Sequence, residues 1–263
     1  MQFAKYEGLG NDFIIVDASE PIDAARAAEL CDRHTGIGAD GVLLVDAKRP
    51  SMQVLNADGS DAEMCGNGLR CVAWHLRRVG ALSRDETVIE TAAGPHHCWI
   101  RGPGDVEVVM RAGTVDPGEV PVASPQPLID APLREIGGRA IRFTAVGMGN
   151  PHLVTFDAVG DARLDIGPDL QADARFPQSV NVGFAEDMPG GFRLRVLERG
   201  SGWTRACGTG ACAAVFAAVQ TGRAVLDEPV AILLPGGPLT ITVKPDAIHM
   251  RGPAKHVFNG IIP

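Results

Sequence analysis

Cys65-Gly66-Asn67-Gly68-Leu69-Arg70-Cys71-Val72-Ala73 and Cys207-Gly208-Thr209-Gly210-Ala211-Cys212-Ala213-Ala214-Val215 follow one pattern. Each is Cys-Gly-x-Gly leading into an apolar segment, and the segments end at Gly80 and Gly222. Their patterning predicts helices over 69–79 and 211–221. The second of these is apolar nearly all round, which requires burial on every side. The match extends outward. Gly8-Leu9-Gly10-Asn11 precedes Phe13-Ile14-Ile15, and Gly147-Met148-Gly149-Asn150 precedes His152-Leu153-Val154. Ala92-Ala93-Gly94-Pro95 parallels Leu234-Pro235-Gly236-Gly237, and Val109-Met110-Arg111 parallels His249-Met250-Arg251. These matches keep one order at an offset of about 140 residues, the signature of a duplicated unit.

Two lobes of like fold follow: 1–115, with 253–263 returning to it, and 116–252. The Pro- and Gly-rich stretch 116–132 suits a linker. β-branched runs with Gly or Pro punctuation predict strands at 13–16, 41–45, 87–90 and 106–110, then at 153–156, 192–197, 230–234 and 239–243. The expected class is α+β, each lobe a mixed or antiparallel sheet wrapped around one central helix.

The composition is that of a soluble globular chain: 45% hydrophobic, 21% charged, net charge −8. The acidic balance argues against a nucleic-acid partner, because phosphate affinity comes from Lys and Arg. With lysine only at positions 5, 48, 244 and 255, few Schiff-base anchors are available. No signal peptide or long apolar span is visible, so no membrane partner and a cytoplasmic location are expected. The six cysteines show no Cys-x-x-Cys and no zinc spacing, so no metal is expected. Cys31, Cys71, Cys98 and Cys212 read as packing residues.

Cys65 and Cys207 differ because each opens a buried helix. Free N–H groups and partial positive charge at a helix N-terminus favour a thiolate, so the cysteine pKa is expected to fall from about 8.5 toward neutrality. The adjoining glycines let a ligand approach the backbone, whose N–H groups bind a carboxylate. A pseudo-two-fold axis between the lobes would set one thiol on either face of a bound α-carbon. Stereochemical inversion needs that arrangement, a base on one face and an acid on the other. Two helix mouths aimed at the carboxylate would stabilise the enediolate charge without an organic cofactor.

The segments GLGNDFIIVD at Gly8, NADGSDAEMCGNG at Asn56, GNPH at Gly149 and ERGSGWTRACGTGA at Glu198 resemble the hallmark segments of the diaminopimelate epimerase family, over essentially the whole chain. The resemblance implies two similar lobes with the site in the cleft, and LL-2,6-diaminopimelate converted to the meso form for lysine and cell-wall precursors. It also implies no cofactor or metal, and a cytoplasmic homodimer. By resemblance Cys65 and Cys207 are the acid/base thiols, and the N–H groups of Gly66, Asn67, Gly208 and Thr209 hold the reacting carboxylate. Asn11 fixes the reacting amino group. Asn56, Asn150, Asn181 and Arg199 hold the distal carboxylate, and Glu198 takes the distal ammonium. Glu198 and His152 would also tune the thiols.

Two positions depart from the family pattern. Gly41 stands where some members carry a glutamine that orients the substrate amine, and Trp203 where many carry glutamate. The rival readings are a same-fold racemase of histidine, proline or hydroxyproline, a thiol redox sensor, and a metal-binding module. The polar set Asn56, Asn181, Glu198 and Arg199 argues against the first rival, and the cysteine spacings against the others.

Overall fold

The computed structural model describes residues 1–62 and 64–262; Glu63, inside the segment that opens at Asn56, and Pro263 lie outside the described residues. The chain divides into two compact units, Met1–Val109 with Arg251–Pro263, and Met110–Met250. Strands Asp105–Arg111 and Ala247–Pro253 carry the chain across the two divisions. The stretch 116–132 is packed rather than free. Val120 and Val122 are buried in the core of the second unit and Leu128 packs against it, so the apolar residues between its prolines dock it there.

In the first unit, Gln2–Gly8 and Asn11–Asp17 form an antiparallel hairpin. Its two turn residues, Leu9 and Gly10, both take left-handed φ (61° and 80°), as a tight hairpin turn requires. Helix α1 (Ala24–Cys31) follows, capped by the Asp23 side chain, and leads to Gly41–Asp46, parallel to Asn11–Asp17. Ser51–Asn56 pairs antiparallel with Gly41–Asp46, and the short Asp61–Ala62 pairs with Ser51–Asn56. Helix α2 (Gly66–Arg78) comes next, then Glu86–Thr91, beside Ser51–Asn56 in parallel, and its hairpin partner Gly94–Gly102.

The second unit repeats these moves. Arg139–Gly147 and Pro151–Thr155 form the hairpin, and helix α3 (Arg163–Gln171) leads to Asn181–Met188, parallel to Pro151–Thr155. Gly191–Glu198 pairs with it antiparallel, and the short Gly202–Trp203 pairs with Gly191–Glu198. Helix α4 (Gly208–Gln220) then precedes Pro229–Leu234, parallel to Gly191–Glu198, and its hairpin partner Gly237–Val243. Beside the first hairpin strand of this unit lies Ala131–Ile136; the matching place in the first unit is filled by the chain's last strand, Lys255–Ile261.

The central helices pack against the strands of their own units. Leu69, Cys71, Val72, Ala73 and Leu76 of α2 are fully buried among strands before and after it in sequence. Ala211 to Val215, with Ala217 and Ala218, are buried in the same way in α4. Burying a leucine or valine stabilises by about 1.5–3 kcal/mol, so a helix apolar on all faces is stable only inside a wrapped sheet. Helices α1 and α3 pack on the other sheet faces, α1 through Ala27, Leu30 and Cys31 and α3 through Ile166 and Leu170.

Candidate active site

Cys65 and Cys207 are the N-caps of α2 and α4. Both have extended backbone, and each sulfur accepts the N–H three residues on, Gly68 or Gly210, at 3.4 Å. A sulfur thus takes the place usually held by Ser, Thr or Asp. The N–H groups of Gly66, Asn67, Gly208 and Thr209 fall in the first helical turns, with no carbonyl four residues back inside the helix, and suit a carboxylate. A Cβ at Gly210 would lie 3.0 Å from the Cys207 sulfur, a tight fit beside the cap.

In the first unit, Asn11 starts the second hairpin strand and Cys65 opens the helix behind it. The Cys65 thiol points to Asn11 Oδ1 at 3.9 Å, and Asn67 Nδ2 donates to the same oxygen at 3.0 Å. Arg70, fully buried one helical turn on, donates to Asn67 Oδ1 at 2.8 Å and to the Pro253 carbonyl at 3.2 Å. Asn11 Nδ2 donates to Asp40 at 2.8 Å. The Asn56 side chain donates to Ser60 Oγ at 3.0 Å within a turn. Opposite Asn56 in the ladder is Gly41. A Cβ at position 41 would lie 2.7 Å from the Leu55 carbonyl oxygen, so this backbone has no room for the family's glutamine.

In the second unit, Asn150, His152, Asn181 and Arg199 adjoin. His152 Nε2 lies 3.0 Å from Asn150 Oδ1. Asn181 donates to the Pro151 carbonyl and accepts the Arg199 N–H, both at 2.9 Å, so its amide is engaged at both ends. The Arg199 guanidinium donates to the Gln178 carbonyl at 2.7 Å. Burial, aided by the Arg199 charge, pushes His152 down to about 3, so its ring is neutral near pH 7. Glu198 accepts the Thr204 hydroxyl, and its carboxylate is close enough to act on the Cys207 thiol. The Thr209 hydroxyl lies 3.7 Å from the Cys207 sulfur. Trp203, 40% exposed, turns back onto Phe184 of its own unit, with ring centroids 5.9 Å apart.

The Cys207 thiol departs from the expected fall in pKa. Burial and then the Glu198 carboxylate raise it well above the ordinary value, against the pull of Thr209 and the Gly210 N–H. A helix N-terminus is worth about 0.3–2 kcal/mol, whereas removing a charge from water costs several kcal/mol, so burial wins. Burial also pushes Cys31 up to about 11 and Cys98 up to about 12, and raises Cys71, in keeping with packing roles.

Sequence reasoning missed Asp40, Arg70 and Thr204. Arg70 left one signal, a cation within an apolar helical run at i+3 from Asn67. Asp40 and Thr204 join the site through folding alone. Among the described residues, no group of three or more His, Cys, Asp or Glu side chains is placed to hold a metal ion, and no helix is long and apolar enough to cross a membrane.

A family model described as diaminopimelate epimerase matches residues 3–116 and 144–257. The diaminopimelate epimerase of Thioalkalivibrio sulfidiphilus is 43% identical over 279 aligned positions, covering 100% of this chain and 99% of the relative. Diaminopimelate epimerase 1 of a Nostoc species is 41% identical, covering 99% of each. Among solved structures, a PhzF-family phenazine biosynthesis protein from Bacillus anthracis superposes with TM-score 0.70 at 16% identity, covering 100% of this chain and 99% of that one. A probable proline racemase from Agrobacterium radiobacter superposes with TM-score 0.68 at 16% identity, covering 100% and 92%. These likenesses in structure are likenesses of fold.

Proposed function

The chain belongs to the diaminopimelate epimerase family and is an isomerase, and from that premise we propose that it converts LL-2,6-diaminopimelate to the meso form with Cys65 and Cys207 as opposed acid and base. The observation that carries the reading is the doubled cap: in two units of one topology, a cysteine sulfur takes the first turn of the central helix. One thiolate removes the α-proton while the other thiol delivers a proton to the opposite face. The N–H groups of Gly66, Asn67, Gly208 and Thr209 stabilise the enediolate charge, which is greatest in the transition state. Asn11 Oδ1 accepts from the reacting ammonium. Asn56, Asn150, Asn181 and the Arg199 guanidinium hold the distal carboxylate, and Glu198 takes the distal ammonium and holds the Cys207 proton. Neutral His152 orients Asn150. No cofactor enters these steps.

A cytoplasmic homodimer completes the proposal. The exposed Val257, Phe258 and Ile261 on the last strand supply apolar surface for such a contact. Sedimentation of the purified protein checks it.

The test of the reaction is LL-diaminopimelate in deuterated water with reduced enzyme. Deuterium should appear at the α-carbon as the meso form accumulates, and epimerisation without label would exclude proton exchange through the thiols. Cys65→Ser and Cys207→Ser should each lose at least about a hundredfold in kcat, the scale of a positioned acid or base. Normal turnover by either variant would remove that residue from the mechanism.

A further inference from the structure

Two amides lie beside the Cys65 sulfur, Asn11 and Asn67, and an amide can present either its oxygen or its nitrogen to a ligand. Here the choice is made by groups of fixed polarity. A guanidinium only donates, and Arg70 donates to Asn67 Oδ1 at 2.8 Å. That turns Asn67 Nδ2 toward Asn11, whose Oδ1 it reaches at 3.0 Å. At the far end a carboxylate accepts, and Asp40 takes Asn11 Nδ2 at 2.8 Å. Asp40 is itself held from several sides. Its N–H donates to the Asp12 carbonyl, its carbonyl accepts the Ala57 N–H, and Arg33 pairs with its carboxylate at 2.7 Å. Arg33 also pairs with Asp12, which in turn pairs with the buried Lys5. All these groups belong to the first unit.

We infer that Arg70 and Asp40 are positioning residues for the reaction: together they fix the amide polarity of Asn11, so that Oδ1, an acceptor, faces the Cys65 thiol and the place of the reacting ammonium. Reversing the amide would point two N–H donors at a cation. Position 41 offers no substitute, because a Cβ there would meet the Leu55 carbonyl. In the second unit the residue matching Arg70 is Cys212, which carries no guanidinium. This inference rests on the reading of Asn11 as the ammonium acceptor.

The test is a double-mutant cycle on the full-length enzyme, following kcat/KM with LL-diaminopimelate and thermal melting. Asp40→Asn replaces a pure acceptor with an amide as ready to donate as to accept. It should lower kcat/KM about tenfold, the worth of one misdirected hydrogen bond, with melting unchanged. In an Asn11→Ala background the same change should cost nothing further, because Asp40 acts through Asn11. Asp40→Glu, which keeps an acceptor, should recover most of the loss. A full penalty for Asp40→Asn in the Asn11→Ala background would overturn the inference, as would native kcat/KM in Asp40→Asn alone. Arg70→Lys should retain more activity than Arg70→Gln; if neither folds, the Asp40 cycle decides alone. Native enzyme that fails to exchange deuterium would instead overturn the functional reading itself.

Discussion

At the residue scale, Cys207 shows two physical effects in opposition. The helix mouth offers N–H groups to a thiolate, while burial and the Glu198 carboxylate hold the proton on sulfur. The outcome is a thiol, suited to the acid half of the proposed exchange, in which Cys65 is the base. Raising pH should therefore remove activity as Cys207 ionises, since two thiolates leave no acid. Glu198→Gln deletes the one charged group that raises this thiol and leaves its burial, so its pKa falls and the alkaline limb of the kcat/KM profile moves to lower pH. Alkylation of Cys207 by iodoacetamide, read by peptide mass, should begin at lower pH in the same variant. An unmoved limb and unmoved alkylation would mean that burial alone sets this thiol. His152 has the opposite sign. Its folded pKa, about 3, lies below the ordinary histidine value, so it stabilises the fold above about pH 6.5 and that contribution is lost as pH falls toward 3. Replacing His152 with Gln should flatten the dependence of stability on pH across that window, measured by urea unfolding at a series of pH values.

At the scale of elements, the two caps separate folding from chemistry. A serine hydroxyl is a better N-cap than a sulfur at 3.4 Å, so Cys65→Ser and Cys207→Ser should keep the melting temperature or raise it while abolishing turnover. Cys65→Ala and Cys207→Ala lose the cap as well, at about 1 kcal/mol each. Equal stability of the serine and alanine variants by urea unfolding would mean that the sulfurs do not cap. Elements whose patterns were unmixed were legible in the sequence: both central helices, and strands such as Gly41–Asp46 and Pro229–Leu234. The central helices begin at Gly66 and Gly208, three residues ahead of the apolar runs, because glycines carry no hydrophobic signal. Helix α3 was hidden by Gly167-Pro168 in its middle, a pair that reads as a turn. Gly167 is there for contact, since a Cβ would lie 2.9 Å from Leu197. At the site, the two cysteines at the helix N-termini were legible because each lies in a contiguous motif. Asp40 and Thr204 were not, because only tertiary pairing brings them to Asn11 and Glu198.

At the scale of the whole chain, the duplication leaves one asymmetry with a testable consequence. The second unit supplies the outer partner of its first hairpin strand locally, from Ala131–Ile136. The first unit takes it from Lys255–Ile261, far along the chain, which pairs along Gln2–Glu7. That strand also covers large side chains. Phe258 packs edge-on against Phe3 at 5.9 Å, and His256 edge-on against Tyr6 at 5.2 Å. Gly260 lies so close beneath Phe3 that a Cβ would be 2.3 Å from its ring. Removing 254–263 therefore uncovers Phe3 and Tyr6 and leaves the backbone groups of an extended strand without their ladder. Two uncovered aromatic residues alone cost about 3–6 kcal/mol, a large part of the roughly 5–15 kcal/mol that holds an ordinary domain together. A chain ending at Pro253 should lose cooperative melting in the first unit, and limited proteolysis should cut it within residues 1–109 first. The second unit, whose hairpin keeps its own partner, should resist longer. A truncated chain that melts like the full-length protein would show that the tail adds little, and that the first unit stands without the strand contributed from the other end of the chain.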